Sequence, residues 1–200
     1  MAADARPRQS ATELLKRADP CAMVLFGATG DLAKRLVIPA LYNLERTGLL
    51  PEGFVLIGVA RSEVDAPSWR KRLRQSLDDM VRSKRATFQA DQIDNEAWDR
   101  LGRRMTFVQG DVTTPEPYRA VAKALEQANA KPGIKGAALF YLAVADRLFG
   151  PIVHQLGAAG LAAETAGAWR RVVIEKPFGH DLASAKALNA QVLETFKEAQ

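Results

Sequence analysis

The sequence predicts an α/β protein with a doubly wound, mainly parallel β-sheet. Five short apolar segments of strand length alternate with longer segments of helical character along a chain of 200 residues. Parallel strands need crossover connections, and helices supply these while they cover both faces of the sheet. We expect an N-terminal tail with a short helix over residues 1–21, followed by one domain over residues 22–200.

The chain is predicted to begin with a tail and a short helix, followed by a buried strand that leads into a glycine turn. Ser10 is a candidate N-cap for the short N-terminal helix, which ends at Lys16. Residues 21–26 form an apolar run that is too short for a helix and is ended by Gly27. This run predicts a buried strand.

The helix after the glycine turn contains a proline. It is expected to begin at Asp31 and to kink or restart at Pro39, because proline lacks the N–H that an interior helical position donates. Gly48 is placed to end this helix as a C-terminal cap.

Further strands and helices complete the alternation. Asp181, with Ser184 shortly after it, is a candidate cap for the last helix. The strands are predicted over residues 54–59, 106–109, 137–143 and 172–175, and the helices over 68–82, 95–103, 115–130, 146–159 and 181–197.

The run G-A-T-G-D-L-A over residues 27–33 joins the first strand to the first helix. Glycine permits a tight turn and a close approach to a ligand, so that free N–H groups at the helix start can meet a phosphate. Ala33 is small enough for the helix to pack closely against the strand. The spacing follows the logic of a Rossmann-like dinucleotide site, although simple turns also show it, and no Gly-Lys-Ser/Thr follows as a P-loop requires.

The end of the second strand distinguishes NADP from NAD. An NAD site usually has Asp or Glu there for the ribose hydroxyls, whereas an arginine suits the additional 2′-phosphate of NADP. Arg61 offers a planar guanidinium at this point, and Ser62 adds a hydroxyl. Asp31 lies in the first helical turn, where its charge stabilises the helix N-terminus. The sequence favours NADP, with Arg61 as an ordinary surface residue as the alternative.

The last predicted strand delivers Glu175-Lys176-Pro177 to its carboxyl end, which is where ligands bind in open α/β sheets. Lysine is a compact charge with three donors, suited to a sugar phosphate or hydroxyl near a nicotinamide. Pro177 restricts Lys176 to extended conformations. The alternative is a surface ion pair between Glu175 and Lys176.

Composition narrows the remaining function classes. The net charge is +5 and the pI is near 9.5, which favours anionic ligands in general. The basic stretch over residues 70–85 also contains Asp78 and Asp79 and has no interleaved aromatic residues, so we interpret it as a solvated helix face and expect no nucleic-acid partner. Cys21 is the single cysteine, and no Cys/His cluster has metal-ligand spacing. No membrane partner and a cytoplasmic location are expected.

Four stretches together resemble the glucose-6-phosphate dehydrogenase family. They are F-G-A-T-G-D-L-A-K over 26–34, V-A-R-S over 59–62, F-Y-L-A-V over 140–144 and V-I-E-K-P-F-G-H-D-L over 173–182. The combination of the first and last in this order is highly specific. The resemblance extends from about residue 22 to the end of the chain.

The resemblance implies oxidation of glucose 6-phosphate at C1 to the phosphogluconolactone, with hydride passed to NADP. By this resemblance Arg61 binds the 2′-phosphate with Ser62 beside it, Tyr141 lies along the cofactor pocket, and Lys176 contacts both cofactor and sugar phosphate. It also implies a homo-oligomeric parent enzyme. The residues that cradle the cofactor phosphates are then Gly27, Ala28, Thr29, Gly30, Asp31, Leu32, Ala33 and Lys34.

The chain departs from the family pattern in two respects. Ala145-Asp146 stands where the family usually carries a proline, at the nicotinamide edge of the pocket. The family's catalytic histidine motif, of the R-I-D-H-Y-L-G-K type, does not occur, and neither His154 nor His180 has a matching context. The resemblance places this histidine beyond Gln200, in a part of the parent enzyme that the sequence does not include.

We therefore identify no catalytic residue among these 200 residues. Removal of a hydroxyl proton needs a base within hydrogen-bond reach, and the sequence offers no candidate. We expect a coenzyme-binding domain of a longer enzyme, without its substrate and dimerisation domain and nearly inactive alone. The alternative is a non-catalytic NADP-binding or regulatory module.

Overall fold

The computed structural model describes residues 17–83, 88, 91–130 and 133–200. The short helix predicted over residues 10–16 lies outside these residues. All five strands run parallel in one sheet of order β3-β2-β1-β4-β5, which confirms the predicted architecture. The strands are β1 (Ala22–Phe26), β2 (Val55–Ala60), β3 (Met105–Gln109), β4 (Ala138–Leu142) and β5 (Arg170–Ile174).

Helices connect the strands and cover the sheet. The α-helices are α1 (Ile38–Arg46), α2 (Ala66–Arg82), α3 (Asn95–Gly102), α4 (Glu116–Asn129), α5 (Phe149–Ala158) and α6 (Leu182–Leu193). A 3₁₀ turn, Asp146–Leu148, precedes α5. None of these helices has the length and apolar character that crossing a membrane requires.

The strands alternate between two apolar layers. On β1, Met23 and Leu25 face a cluster with α1, α2 and α3, whereas Val24 and Phe26 face a second cluster with α4 and α5. Burial of β1 on both faces explains why its sequence is continuously apolar. The largest side chains sealed in these layers are Trp69, Tyr42, Tyr118, Phe26, Phe140, Phe149 and Phe196.

The predicted kink at Pro39 takes the form of a widened helical segment. The residues Ala33–Val37 form π-type turns, and the N–H of Ile38 donates to the carbonyl of Ala33. Pro39 then stands in the first turn of α1, directly after these wider turns. The helix therefore continues through the proline instead of breaking.

Two caps are as predicted, and one helix end is not. Asp181 and Ser184 form a reciprocal capping box at the start of α6, and Gly48 follows the end of α1 with a positive φ. The prediction that α6 extends to residue 197 is wrong, because the chain turns after Leu193 and so brings Phe196 against Phe140 on the sheet.

Candidate functional site

A crevice opens at the carboxyl ends of the strands, beside β1. At this strand the strand order changes direction, because β2 and β3 lie on one side of β1 and β4 and β5 lie on the other. The crevice volume of about 580 Å³ lies within the usual range of small-molecule sites. The loops after β1, β2, β3 and β4 all contribute to its walls. The lining residues are Gly27, Thr29, Gly30, Ala60, Arg61, Ser62, Val112, Ala143, Val144, Ala145 and Leu148.

Gly27 brings the loops after β1 and β4 into backbone contact. Its φ is +81°, and a Cβ built on it would lie 2.2 Å from the carbonyl oxygen of Ala143. The N–H of Ala143 donates to the carbonyl of Phe26 at 3.0 Å, which holds the two loops together. Only glycine fits both the conformation and the space.

Unpartnered amides lie at the start of the helix. The N–H of Gly30 closes the turn onto the carbonyl of Gly27 at 2.8 Å. The N–H groups of Thr29, Asp31 and Leu32 donate to no residue in the described part of the chain. Donors of this kind at a helix N-terminus favour an anion such as a phosphate.

The loop after β2 places a cation on the crevice. Arg61 is exposed, and the hydroxyl of Ser62 lies 3.0 Å from that of Thr29, which ties this loop to the glycine turn. Hydrogen bonds from the backbone N–H and hydroxyl of Thr113 lower the pKa of the nearby Asp111, and the charge of Arg61 adds a smaller effect. Arg61 therefore lies close to one carboxylate and remains open to solvent.

A tryptophan supports the glycine turn from below. The indole N–H of Trp69 donates to the carbonyl of Ala28 at 3.0 Å in the buried interior. A Cβ on Gly58 would lie 2.5 Å from the Trp69 ring, so the ring occupies the space that a side chain on β2 would fill. Nothing in the sequence spacing of Trp69 relates it to the turn, so this support could not be predicted from the sequence.

Several residues of the predicted cofactor set do not line the crevice. Ala28 and Ala33 are fully buried and pack the turn and helix against the sheet, and Leu32 packs at the edge of the same cluster. Asp31 forms an ion pair with Arg35 at 3.1 Å. Lys34 lines a separate cleft between this helix and α2.

Tyr141 and Lys176 lie beside the crevice and not among its lining residues. The Tyr141 hydroxyl donates to the carboxylate of Glu175 across β4 and β5. Burial and this partner raise the pKa of Tyr141 to about 12. The carboxylate of Glu175 thus has a partner other than Lys176, which is exposed in the loop after β5 at the same sheet edge.

Neither histidine faces the crevice. The His180 Nε2 lies 3.1 Å from a carboxylate oxygen of Asp146, which links the loop after β5 to the 3₁₀ turn after β4. His154 lines a different cleft, between α5 and α6. Among the residues that the structure describes, no group of three His, Cys, Asp or Glu side chains could hold a metal ion.

Gln200 lies against the edge strand β5, away from the crevice. Its carbonyl oxygen accepts the N–H of Val172 at 2.8 Å. Its side-chain Nε2 lies 3.1 Å from the carbonyl oxygen of Ala162 and 3.3 Å from that of Arg170. Gln200 is thus held by backbone groups and lines no part of the crevice. That the catalytic histidine of the parent enzyme lies beyond Gln200 stays a prediction.

The family model described as "Glucose-6-phosphate dehydrogenase, NAD binding domain" matches residues 24–200. The chain belongs to the glucose-6-phosphate dehydrogenase family. Within that family, it is 42% identical over 182 residues to the glucose-6-phosphate 1-dehydrogenase of Mycolicibacterium smegmatis, covering 91% of this chain and 34% of the relative. It is 39% identical over 181 residues to glucose-6-phosphate 1-dehydrogenase 2 of Mycobacterium tuberculosis, covering 90% of this chain and 34% of the relative.

Solved structures of glucose-6-phosphate dehydrogenases share the fold. The enzyme from Mycobacterium avium has a TM-score of 0.74 and 34% identity, covering 90% of this chain and 35% of that one. A glucose-6-phosphate dehydrogenase in complex with its substrate has a TM-score of 0.76 and 27% identity, covering 92% of this chain and 36% of that one. The chain thus spans about a third of the length of the curated relatives it matches.

Proposed function

We propose that this chain binds NADP as the coenzyme domain of a glucose-6-phosphate dehydrogenase. The observation that carries the proposal is the pairing of unpartnered N–H groups at the glycine turn with Arg61 on the same crevice. The amides suit the phosphates that join the two halves of a dinucleotide, and the guanidinium suits a further phosphate on the ribose. Both donor sets fit NADP.

The preference for NADP over NAD rests on Arg61. The three residues from Ala60 to Ser62 line the crevice without an acidic side chain among them. A charge-assisted bond to the 2′-phosphate contributes about 1.5–3 kcal/mol, which corresponds to roughly 10-fold to 150-fold in affinity. NAD, which has no phosphate there, gains nothing from the guanidinium.

The reaction proposed for the longer enzyme is oxidation of glucose 6-phosphate to the lactone. NADP, when bound, supplies the hydride acceptor. Lys176 would contact both cofactor and sugar phosphate, and its exposed position at the carboxyl edge of the sheet is compatible with that role. Removal of the sugar hydroxyl proton needs a base within hydrogen-bond reach, and neither His154 nor His180 lines the crevice.

Calorimetric titration of the chain with NADP and with NAD tests the cofactor proposal. Arg61→Ala should weaken NADP binding at least roughly 10-fold and leave NAD binding within about twofold. Arg82→Ala is the matched control, because it removes the same charge from an exposed position near the end of α2. Equal losses for both cofactors in Arg61→Ala would refute the assignment.

A non-catalytic NADP-binding module is the second candidate, and the position of both histidines away from the crevice favours it. A steady-state assay of NADPH formation with glucose 6-phosphate tests whether this chain holds a catalytic base. We expect no more than trace turnover from this chain alone. Turnover close to that of ordinary dehydrogenases, a median of about 10 per second, would identify a base in this chain and exclude a non-catalytic module.

A further inference from the structure

A further cleft lies between α2 and α3, beside the edge strand β3. Its volume is about 430 Å³, and it shares no lining residue with the dinucleotide crevice. The lining residues are Arg70, Lys71, Trp98, Asp99, Gly102 and Arg103. Three of these side chains are cations and one is a carboxylate.

Trp98 brings an indole donor to this cleft. Its side chain is only 7% exposed, and its N–H donates to no residue in the described ranges. No described side-chain nitrogen or oxygen is both sealed from solvent and without a hydrogen-bond partner. Trp98 is among the residues that line the cleft, so its indole lies at the cleft wall. Buried indole N–H groups normally find a partner.

Arg70 is held in place at the cleft wall. Its Nη1 donates to the carbonyl of Met105 at 3.0 Å, and the side chain is half-buried. The other N–H groups of the guanidinium donate to no residue that the structure describes. Gly102 adjoins this side chain, and a Cβ there would make an ordinary van der Waals contact with the Cδ of Arg70 at 3.5 Å. The guanidinium is thus fixed beside empty space.

Lys71 and Arg103 are both exposed and add two cations at the rim. The donors of Arg70 and Trp98 are fixed, which reduces the entropy lost when a ligand is bound. Asp99 is exposed on the same cleft and, as a carboxylate, only accepts. An anion that also carries one O–H satisfies the donors and this acceptor together, whereas a fully deprotonated anion meets repulsion from Asp99.

We propose that the cleft between α2 and α3 is a binding site for hydrogen phosphate, separate from the dinucleotide crevice. The competing explanation is purely structural. Basic side chains at the C-terminal end of α3 favourably offset the partial negative charge of its last carbonyls, with no ligand involved.

Nuclear magnetic resonance on the full chain tests the location of binding. The chain has three tryptophans, so its nitrogen–proton spectrum contains three indole signals. The signal that is missing from the spectrum of Trp98→Phe is that of the Trp98 indole. Titration with inorganic phosphate at constant ionic strength should shift the Trp98 indole signal in a saturable manner. The proposal fails if that signal stays fixed, or if only the Trp69 indole beneath the glycine turn responds.

Charge variants test whether the site is specific. Arg103→Gln combined with Lys71→Gln should weaken phosphate binding at least roughly 10-fold, since the double variant removes two of the three cations that line the cleft. Arg82→Gln on the same helix, α2, is the control and should leave the phosphate affinity within about twofold. An equal loss in the control would show general attraction to a basic surface and overturn the proposal.

The role of Asp99 predicts discrimination between anions. Wild-type protein should bind phosphate more tightly than sulfate, which carries no O–H at neutral pH. Asp99→Asn should narrow this difference, because an amide can donate to sulfate. Equal affinity of the wild-type chain for both anions would overturn the assignment of hydrogen phosphate.

Discussion

Replacing Gly27 with alanine should separate the loops after β1 and β4. The left-handed conformation at φ +81° costs a residue with a Cβ about 1–2 kcal/mol. The new Cβ would also lie 2.2 Å from the carbonyl oxygen of Ala143, which is backbone and cannot rotate away. Relieving such overpacking costs about 1–3 kcal/mol more. We therefore expect Gly27→Ala to lower the free energy of unfolding by about 2–5 kcal/mol.

Gly167→Ala is the matched control. Gly167 has the same φ of +81°, but a Cβ there would meet nothing within 4 Å. It should therefore cost about 1–2 kcal/mol from backbone strain alone. Urea denaturation followed by circular dichroism measures both variants. In a chain of this size 1 kcal/mol shifts Tm by about 2–4 °C, so thermal melts should separate them as well. If Gly27→Ala destabilises no more than Gly167→Ala, the contact with Ala143 is not tight.

Two further predictions concern buried ionisable groups. Glu45 is 5% exposed and pairs with Arg100 at 2.9 Å and with Arg104 at 3.2 Å. Glu45→Gln should therefore lower the free energy of unfolding, measured by urea denaturation, by about 1–3 kcal/mol. The control Glu96→Gln, at a side chain that is 91% exposed, should lower it by less than about 0.5 kcal/mol, and equal losses would contradict the expectation for Glu45. Burial, with a smaller effect of Asp19, raises the pKa of the Cys21 thiol from 9.0 to about 11. The unfolded chain therefore loses the thiol proton at a lower pH than the folded chain does. As the pH rises from 9 to 11, the free energy of unfolding should fall by about 2–3 kcal/mol. Cys21→Ala should remove this part of the pH dependence, and an unchanged slope would show that the thiol does not cause it.

The order and type of the elements could be predicted from the sequence most directly for β1 and β2, because these strands are buried on both faces. A run such as residues 21–26 has no polar interruption, and β1 proves to lie at the centre of the sheet. Boundaries were less predictable where tertiary contacts decide them. The end of α6 depends on Phe196 reaching Phe140, a contact between distant parts of the chain.

The residues of the candidate site could be predicted from the sequence where the course of the backbone alone fixes their position. Gly27, Gly30 and Arg61 line the crevice because a strand end, a helix start and a neighbouring strand end must meet at one edge of a parallel sheet. The apolar wall formed by Val112 and Leu148 was not predicted. Such residues look like ordinary core in a sequence, and only the fold shows that they border open space.

The ring of Trp69 beneath the glycine turn restricts which substitutions can accumulate in this protein. Any side chain on Gly58 would collide with the ring, while a smaller residue in place of Trp69 would leave a void and free the carbonyl of Ala28. Neither position can change alone without loss of stability, so the two are expected to change together during evolution. Among relatives that place a smaller side chain where Trp69 stands, alanine or serine should become acceptable in place of Gly58, and the paired substitution should be more stable than either single one.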